Sequence, residues 1–136
     1  HFPNPWSEEA WQNSDNKNYL LLGLFKGLPE NIRERDGGDS VIGFCLLQTL
    51  GGEDQAHLLK IVIDPDFRGR KLGARLLEFT KEALLARRFQ SIFLEVSALN
   101  GAALALYKKH GFEVLHKVHD FYGDGCPALI MRCVFA

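Results

Sequence analysis

The chain has 136 residues, of which 46% are hydrophobic and 24% are charged, and its formal net charge is −1. This is ordinary globular composition, which excludes the fibrous and intrinsically disordered classes. The longest apolar run, Tyr19 to Phe25, is too short for a membrane-spanning helix, and balanced charges disfavour nucleic acid or a membrane surface as partner. We expect a single domain over residues 1–136, located in the cytoplasm.

The cysteines give no sign of a disulfide framework or a metal site. Cys45, Cys126 and Cys133 form no CxxC pair, and each lies in or beside an apolar segment, which favours buried thiols. A zinc site with Cys126, His116 and His119 is disfavoured, because two imidazoles three residues apart on a strand point to opposite faces. We expect no metal.

The first half of the chain predicts mainly β structure. Residues 6–13 are the exception, because they predict the end of a short helix. Ser7 can cap this helix, and Glu8 and Glu9 would lie at the positive end of its dipole. Alternating or continuous apolar runs predict an antiparallel meander. Its strands are expected over residues 19–25, 41–49 and 56–63, with a long loop over 26–40 and a turn at 51–54.

The second half mixes helices and strands. From Leu72 the apolar residues recur at helical spacing, and this helix is expected to run to about Arg88. A buried strand over 91–97 precedes a helix over 101–110, with Asn100 as its cap and Gly111 as its stop. Two strands, 112–120 and 128–135, then form a hairpin. The order predicts an α/β fold with a mixed sheet flanked by helices.

The segment between the third strand and the long helix has the composition of an anion site. A helix N-terminus offers unpaired N–H groups and partial positive charge, and glycines let a diphosphate approach the backbone. Cations at a helix N-terminus oppose the helix dipole unless a bound anion compensates for them, so their presence favours an anion site. The alternative is a basic turn that is exposed to solvent and binds no ligand. The candidate residues are Arg68, Gly69, Arg70, Lys71, Leu72, Gly73 and Ala74.

Two side chains after this helix form a candidate acid–base pair. Glu95 falls on the strand face that also carries Phe93 and Ser97, and Tyr107 lies two helical turns beyond Asn100 on the same helix face. A carboxylate can serve as general base and a phenol as general acid. The structural alternatives are an ion pair of Glu95 with an arginine and a packing role for Tyr107.

With these residues the sequence resembles the GNAT superfamily of acetyl-CoA-dependent N-acetyltransferases. Its signature, Q/R-x-x-G-x-G/A, matches at Arg68 and Gly73, while Lys71 stands where the family usually has its middle glycine. The resemblance extends from PWSEEAW through FLEVSALNGAALALYKKHGF to HDFYGDGCPALIMR. In that detail it is similar to the group that acetylates the α-amines of ribosomal proteins.

The resemblance implies a mostly antiparallel sheet that is splayed at the acetyl-CoA site, with a first strand and most of a first helix before His1. It places the base at Glu95, the acid at Tyr107 and a CoA-contacting asparagine at Asn100. Backbone N–H groups of Ile61, Val62 and Ile63 would polarise the thioester in the manner of an oxyanion hole. Tyr122 would flank the peptide site. The alternative is that its side chain only covers the core at the end of a strand.

The expected reaction is direct acetyl transfer from acetyl-CoA to the N-terminal α-amine of a protein such as a ribosomal protein. A protein α-amine titrates near 8 and a lysine near 10.4, so deprotonating lysine at neutral pH costs over ~3 kcal/mol more. A small-molecule amine as acceptor, or an inactive CoA-binding module, stays open. The oligomeric state is not predicted.

Overall fold

The structure is a computed structural model that describes residues 6–12, 19–26, 41–49, 54–69, 71–119 and 125–135. The expectations for Arg70, for Tyr122 and for most of the loop over residues 26–40 concern positions outside the described residues.

Seven strands in the described part of the chain form one sheet, in the order β1-β2-β3-β4-β5-β7-β6. The strands are β1 (Trp6–Gln12), β2 (Tyr19–Lys26), β3 (Val41–Thr49), β4 (Gln55–Ile63), β5 (Ser91–Ser97), β6 (Glu113–Val118) and β7 (Ala128–Val134). The helices are α1 (Leu72–Ala86) and α2 (Gly101–Lys109), and a short 3-10 helix spans Pro65–Phe67. Neither α1 nor α2 is long and apolar enough to cross a bilayer.

The predicted helix at residues 6–13 is wrong, because this segment forms β1. It pairs antiparallel with β2 over its whole length, from Trp6 opposite Lys26 to Gln12 opposite Leu20. Capping signals such as Ser7 act locally and are worth about 1 kcal/mol, whereas a seven-residue ladder satisfies backbone groups along both strands. Tertiary pairing therefore outweighs the local helical signal.

The mixed α/β sheet predicted from the element order is confirmed. Strands β1 to β4 form an antiparallel meander, and α1 then connects β4 to β5, which runs parallel to β4. Strand β7 inserts between β5 and β6, so that the last hairpin lies at one edge of the sheet. Helix α1 packs on β2, β3 and β4. Fully buried side chains include Leu20, Leu22, Leu24, Leu76, Leu77, Leu84, Ile92 and Leu94.

Strands β4 and β5 separate soon after they begin. Their parallel ladder consists of only three pairs, from Gln55 opposite Ser91 to His57 opposite Phe93. The remaining residues of β4, 58–63, stay paired with β3 on the other side, except for Leu59, where the register shifts at a β-bulge. The sheet is therefore splayed between β4 and β5, as the resemblance implied, and β4 presents an unpaired edge there.

Helix α2 begins at this opening. The side chain of Asn100 accepts a hydrogen bond from the Ala103 N–H at 3.1 Å, which confirms its predicted role as the N-cap. At the other end, the Lys81 Nζ donates to the His110 carbonyl at 2.9 Å, and the Glu78 carboxylate contacts the His110 ring at 2.5 Å. These contacts tie the end of α2 to α1.

Candidate active site

The splay between β4 and β5 opens a cleft of about 290 Å³. Its walls are β4, β5 and the first two turns of α2. A second cleft of about 630 Å³ lies between the end of β4, the start of α1 and α2. Both are lined by Ile61, Asn100, Ala103 and Tyr107, so the two form one continuous groove.

The backbone of β4 supplies free polar groups to this groove. The Asp64 N–H donates to the Ile42 carbonyl at 2.6 Å, which makes these two residues a hydrogen-bonded pair of the β3–β4 ladder. In an antiparallel ladder the bonded pairs alternate, so Ile61 and Ile63 direct their N–H and C=O groups away from β3. The alternation separates the three predicted residues: Ile61 and Ile63 face the splay with their backbone, and Val62 faces β3.

The first turn of α1 supplies further donors. The first intrahelical bond in this turn runs from the Arg75 N–H to the Lys71 carbonyl at 3.1 Å, which leaves the N–H groups of residues 72–74 without an intrahelical acceptor. No side-chain cap covers this end of the helix. Residues 71–74 line the larger cleft together with Arg68 and Gly69. This end of the groove therefore fits an anion such as a diphosphate.

Cationic side chains stand at the mouth of the larger cleft. Arg68 and Lys71 are exposed and line it, and so does Lys109 from the end of α2. The Arg68 Nε donates to the Ile63 carbonyl at 3.2 Å, a group that the sheet leaves unpaired. This bond ties the guanidinium to the end of β4, beside the start of α1.

Glu95 lies on β5 and lines the smaller cleft. Ile92, Leu94 and Val96 are buried on the opposite face of the strand, so the predicted alternation is confirmed. The Glu95 carboxylate is about a quarter exposed, and its Oε2 lies 2.7 Å from His57 Nε2. Glu95 therefore contacts a histidine, and not an arginine as the alternative to a catalytic role had supposed.

Tyr107 belongs both to the core and to the groove. Its side chain is only 7% exposed and packs on Phe112, with ring centroids 5.5 Å apart, yet it lines both clefts. Burial, and to a smaller extent the neighbouring Cys45, raises the pKa of Tyr107 above its ordinary value. The phenol therefore keeps its proton at neutral pH, which a proton donor requires.

The described candidate residues come together along one groove. Arg68, Gly69 and residues 71–74 lie at one end, and Glu95 at the other, with Ile61, Asn100 and Tyr107 between them. Other residues at the site were not predicted, among them Lys109, which lines the larger cleft, and His57, which contacts Glu95. Lys109 follows Ala102 by two helical turns, on a different face of α2 from Asn100, and that face gave no signal of a site, whereas His57 requires the strand register.

None of the three thiols lines either cleft. Cys45 and Cys133 are buried as predicted, and burial raises the pKa of Cys45 to about 12. The same prediction is wrong for Cys126, which is only half-buried and has its Sγ 3.3 Å from Ser97 Oγ. Within the described ranges, no three His, Cys, Asp or Glu side chains come together in a group that could hold a metal ion.

Comparison with known proteins gives consistent results. The acetyltransferase (GNAT) family model matches residues 2–112. The ribosomal protein bS18-alanine N-acetyltransferase of Salmonella typhimurium is 36% identical over 118 residues, which are 87% of this chain and 71% of the relative. The protein of the same name from Escherichia coli K12 is 33% identical, with the same coverage.

Solved structures agree with the sequence relatives. The ribosomal-protein-S18-alanine N-acetyltransferase from Escherichia coli superposes with a TM-score of 0.72 at 31% identity, over 89% of this chain and 72% of that one. A Bacillus anthracis protein assigned as a streptothricin acetyltransferase, solved in complex with acetyl coenzyme A, has a TM-score of 0.70. At 22% identity, over 90% of this chain and 65% of that one, it shares the fold.

Proposed function

Because the chain belongs to the acetyltransferase (GNAT) family and is therefore an acyltransferase, we propose that it moves the acetyl group of acetyl-CoA to the N-terminal α-amine of a protein. The observation that carries this proposal is the single groove that joins the start of α1 to Glu95. One end fits a diphosphate and the other holds a carboxylate, with the unpaired edge of β4 between them.

The residues along the groove suit acetyl-CoA as co-substrate. The N–H groups at the start of α1 and the cations Arg68 and Lys71 hold the diphosphate. The free N–H groups of Ile61 and Ile63 then hold the pantetheine arm and polarise the thioester carbonyl. Asn100, at the start of α2, contacts the same arm. Bound coenzyme supplies the activated acetyl group.

Glu95 and Tyr107 then carry the proton transfers. Glu95, directly or through a water molecule, accepts the proton that the amine loses as its nitrogen attacks the thioester carbonyl carbon. The carbon–sulfur bond breaks, and Tyr107 donates its proton to the departing thiolate. The acetyl group passes directly to the amine, so no covalent intermediate with the enzyme is needed.

The acceptor assignment draws on the relatives and on amine chemistry. The relatives with 33–36% identity are named for the alanine of ribosomal protein bS18, and the proposed acceptor is the N-terminus of a protein of that kind. An α-amine is also easier to deprotonate at neutral pH than a lysine side chain. A single carboxylate is therefore a sufficient base for it.

The acceptor is tested with three substrates: a ribosomal-protein-like peptide that starts with alanine, the same peptide with its α-amine formylated but its lysines free, and a panel of small amines. Acetyl transfer is measured as free thiol released and as a mass gain. We expect the unblocked peptide alone to be acetylated. Transfer only to small amines would show that the acceptor is a small molecule and not a protein N-terminus. Coenzyme binding without any transfer would indicate an inactive CoA-binding module.

The catalytic pair is tested by Glu95→Gln and Tyr107→Phe, each expected to lower kcat about tenfold or more with little change in acetyl-CoA affinity. Glu82→Gln and Tyr19→Phe are matched controls, because both residues lie outside the two clefts. Unchanged kcat in both test variants would remove Glu95 and Tyr107 from the mechanism.

A further inference from the structure

The short polar contact of Glu95 is with a residue on the neighbouring strand. His57 Nε2 lies 2.7 Å from Glu95 Oε2, and this ring nitrogen is shielded from solvent. This nitrogen makes no hydrogen bond within the described residues, so the pair is a close nitrogen–carboxylate contact. The described part of the chain gives Glu95 no other ion pair or hydrogen bond. His57 is therefore the one polar side chain that the described residues place against this carboxylate.

The His57 ring is itself held in place. It stacks on Phe93, with ring centroids 4.3 Å apart and planes 12° from parallel. His57 and Phe93 are also the last pair of the β4–β5 ladder before the strands separate. Because Glu95 follows Phe93 by two residues on the same strand face, a ring stacked on Phe93 reaches the Glu95 carboxylate.

We propose that His57 is a positioning residue that holds Glu95 in its catalytic orientation where β4 and β5 part. This inference rests on the proposed function, in which Glu95 is the base. A glutamate has three rotatable side-chain bonds, and a base displaced by about 1 Å from its substrate loses much of its effect. His57 does not line either cleft, so it acts through Glu95 rather than on the substrate.

Three substitutions of His57 separate positioning from packing. His57→Phe keeps the stacked ring but removes the nitrogen, and we expect kcat to fall about tenfold with an unchanged KM for acetyl-CoA. His57→Gln places a nitrogen at a similar reach and should restore most of the rate, whereas the shorter His57→Asn should not. His116→Phe, at an exposed histidine on β6, is the matched control and should leave kcat unchanged.

A double substitution tests whether His57 acts through Glu95. If it does, His57→Phe combined with Glu95→Gln is no slower than Glu95→Gln alone. Rate losses that multiply would assign His57 a separate role and overturn the inference. If His57→Phe does not fold, the Gln and Asn variants make the same comparison, and equal rates for those two would overturn it.

The outcome also separates this inference from the proposed function. A wild-type protein that acetylates the alanine peptide, with full activity in His57→Phe, would refute the positioning role and leave the proposed function in place. A wild-type protein that transfers no acetyl group to any acceptor would refute both.

Discussion

Lys71 has a backbone conformation that disfavours any residue with a Cβ. Its φ of 61° and ψ of 24° lie in the left-handed region, which costs a non-glycine residue roughly 1–2 kcal/mol. The GNAT pattern usually has glycine at this position, and the backbone explains why: the chain must turn sharply to begin α1. The departure at Lys71 therefore strains the backbone, while its exposed side chain adds a cation at the mouth of the cleft.

Replacing Lys71 by glycine should release this strain. We expect Lys71→Gly to raise the free energy of unfolding by about 0.5–1 kcal/mol, the strain relieved less the extra freedom of glycine in the unfolded chain. Lys71→Val should lower it, because a β-branched residue tolerates positive φ worst. Urea denaturation measures both changes.

Arg88 is the matched control for this test. It has a φ of 68°, is exposed and lies outside both clefts, so Arg88→Gly should give a similar gain in stability without affecting coenzyme binding. A gain at Arg88 together with a loss at Lys71 would show that the Lys71 side chain contributes more to stability than its backbone costs.

At the scale of elements, the position of β4 depends on a close approach by β3. Gly43 lies opposite Ile63, and a Cβ added to Gly43 would stand 2.6 Å from Ile63 Cδ1 and 2.7 Å from the Val62 carbonyl oxygen. Both distances are shorter than real Cβ contacts, and the second involves backbone. A side chain here has room only if β4 moves, and β4 is the strand whose free edge lines the groove.

We therefore expect Gly43→Ala to lower the unfolding free energy by about 1–3 kcal/mol and to weaken acetyl-CoA binding. Gly101→Ala is the matched control: a Cβ there meets nothing within 4 Å at the first residue of α2, so stability should stay the same or rise. Chemical denaturation and calorimetric titration measure the two effects. Full coenzyme affinity in a destabilised Gly43→Ala protein would mean that β4 does not have to hold this position.

Periodicity explains which elements the sequence predicts well. The strand at Val41–Thr49 and the strand at Ser91–Ser97 have their predicted bounds, and α1 begins at the predicted residue, because burial of one face imposes a regular apolar pattern. The strand at Trp6–Gln12 was mistaken for a helix, since it is defined by pairing with a distant segment. The early separation of β4 from β5 leaves no trace in either strand's own pattern.

At the scale of the whole molecule, the candidate site also combines features that local sequence predicts with features that depend on the pairing of distant segments. The start of α1 was predicted because its glycines and cations are neighbours in sequence, and Tyr107 because helical spacing relates it to Asn100. The contact between His57 and Glu95 joins residues 38 positions apart through a parallel register, and a single sequence does not specify that register. Local chemistry can be read from one chain, whereas cross-strand partners cannot.

The net charge of −1 also bears on how the molecule binds a coenzyme. An almost neutral protein does not attract anions over long distances, so affinity for a diphosphate must arise locally, from the N–H groups of α1 and the cations beside them. Coenzyme A should therefore stabilise the fold far more than pantetheine, which lacks the diphosphate. At a coenzyme concentration about 100 times its Kd, mass action adds about 2.7 kcal/mol to the free energy of unfolding.

Thermal unfolding with either ligand, in low salt and in about 1 M salt, measures this difference. The rise in Tm caused by coenzyme A should shrink at high salt, because Arg68 and Lys71 are exposed and their attraction for phosphate is screened. The smaller effect of pantetheine should change little with salt. Equal stabilisation by the two ligands at low salt would mean that the start of α1 does not bind the diphosphate.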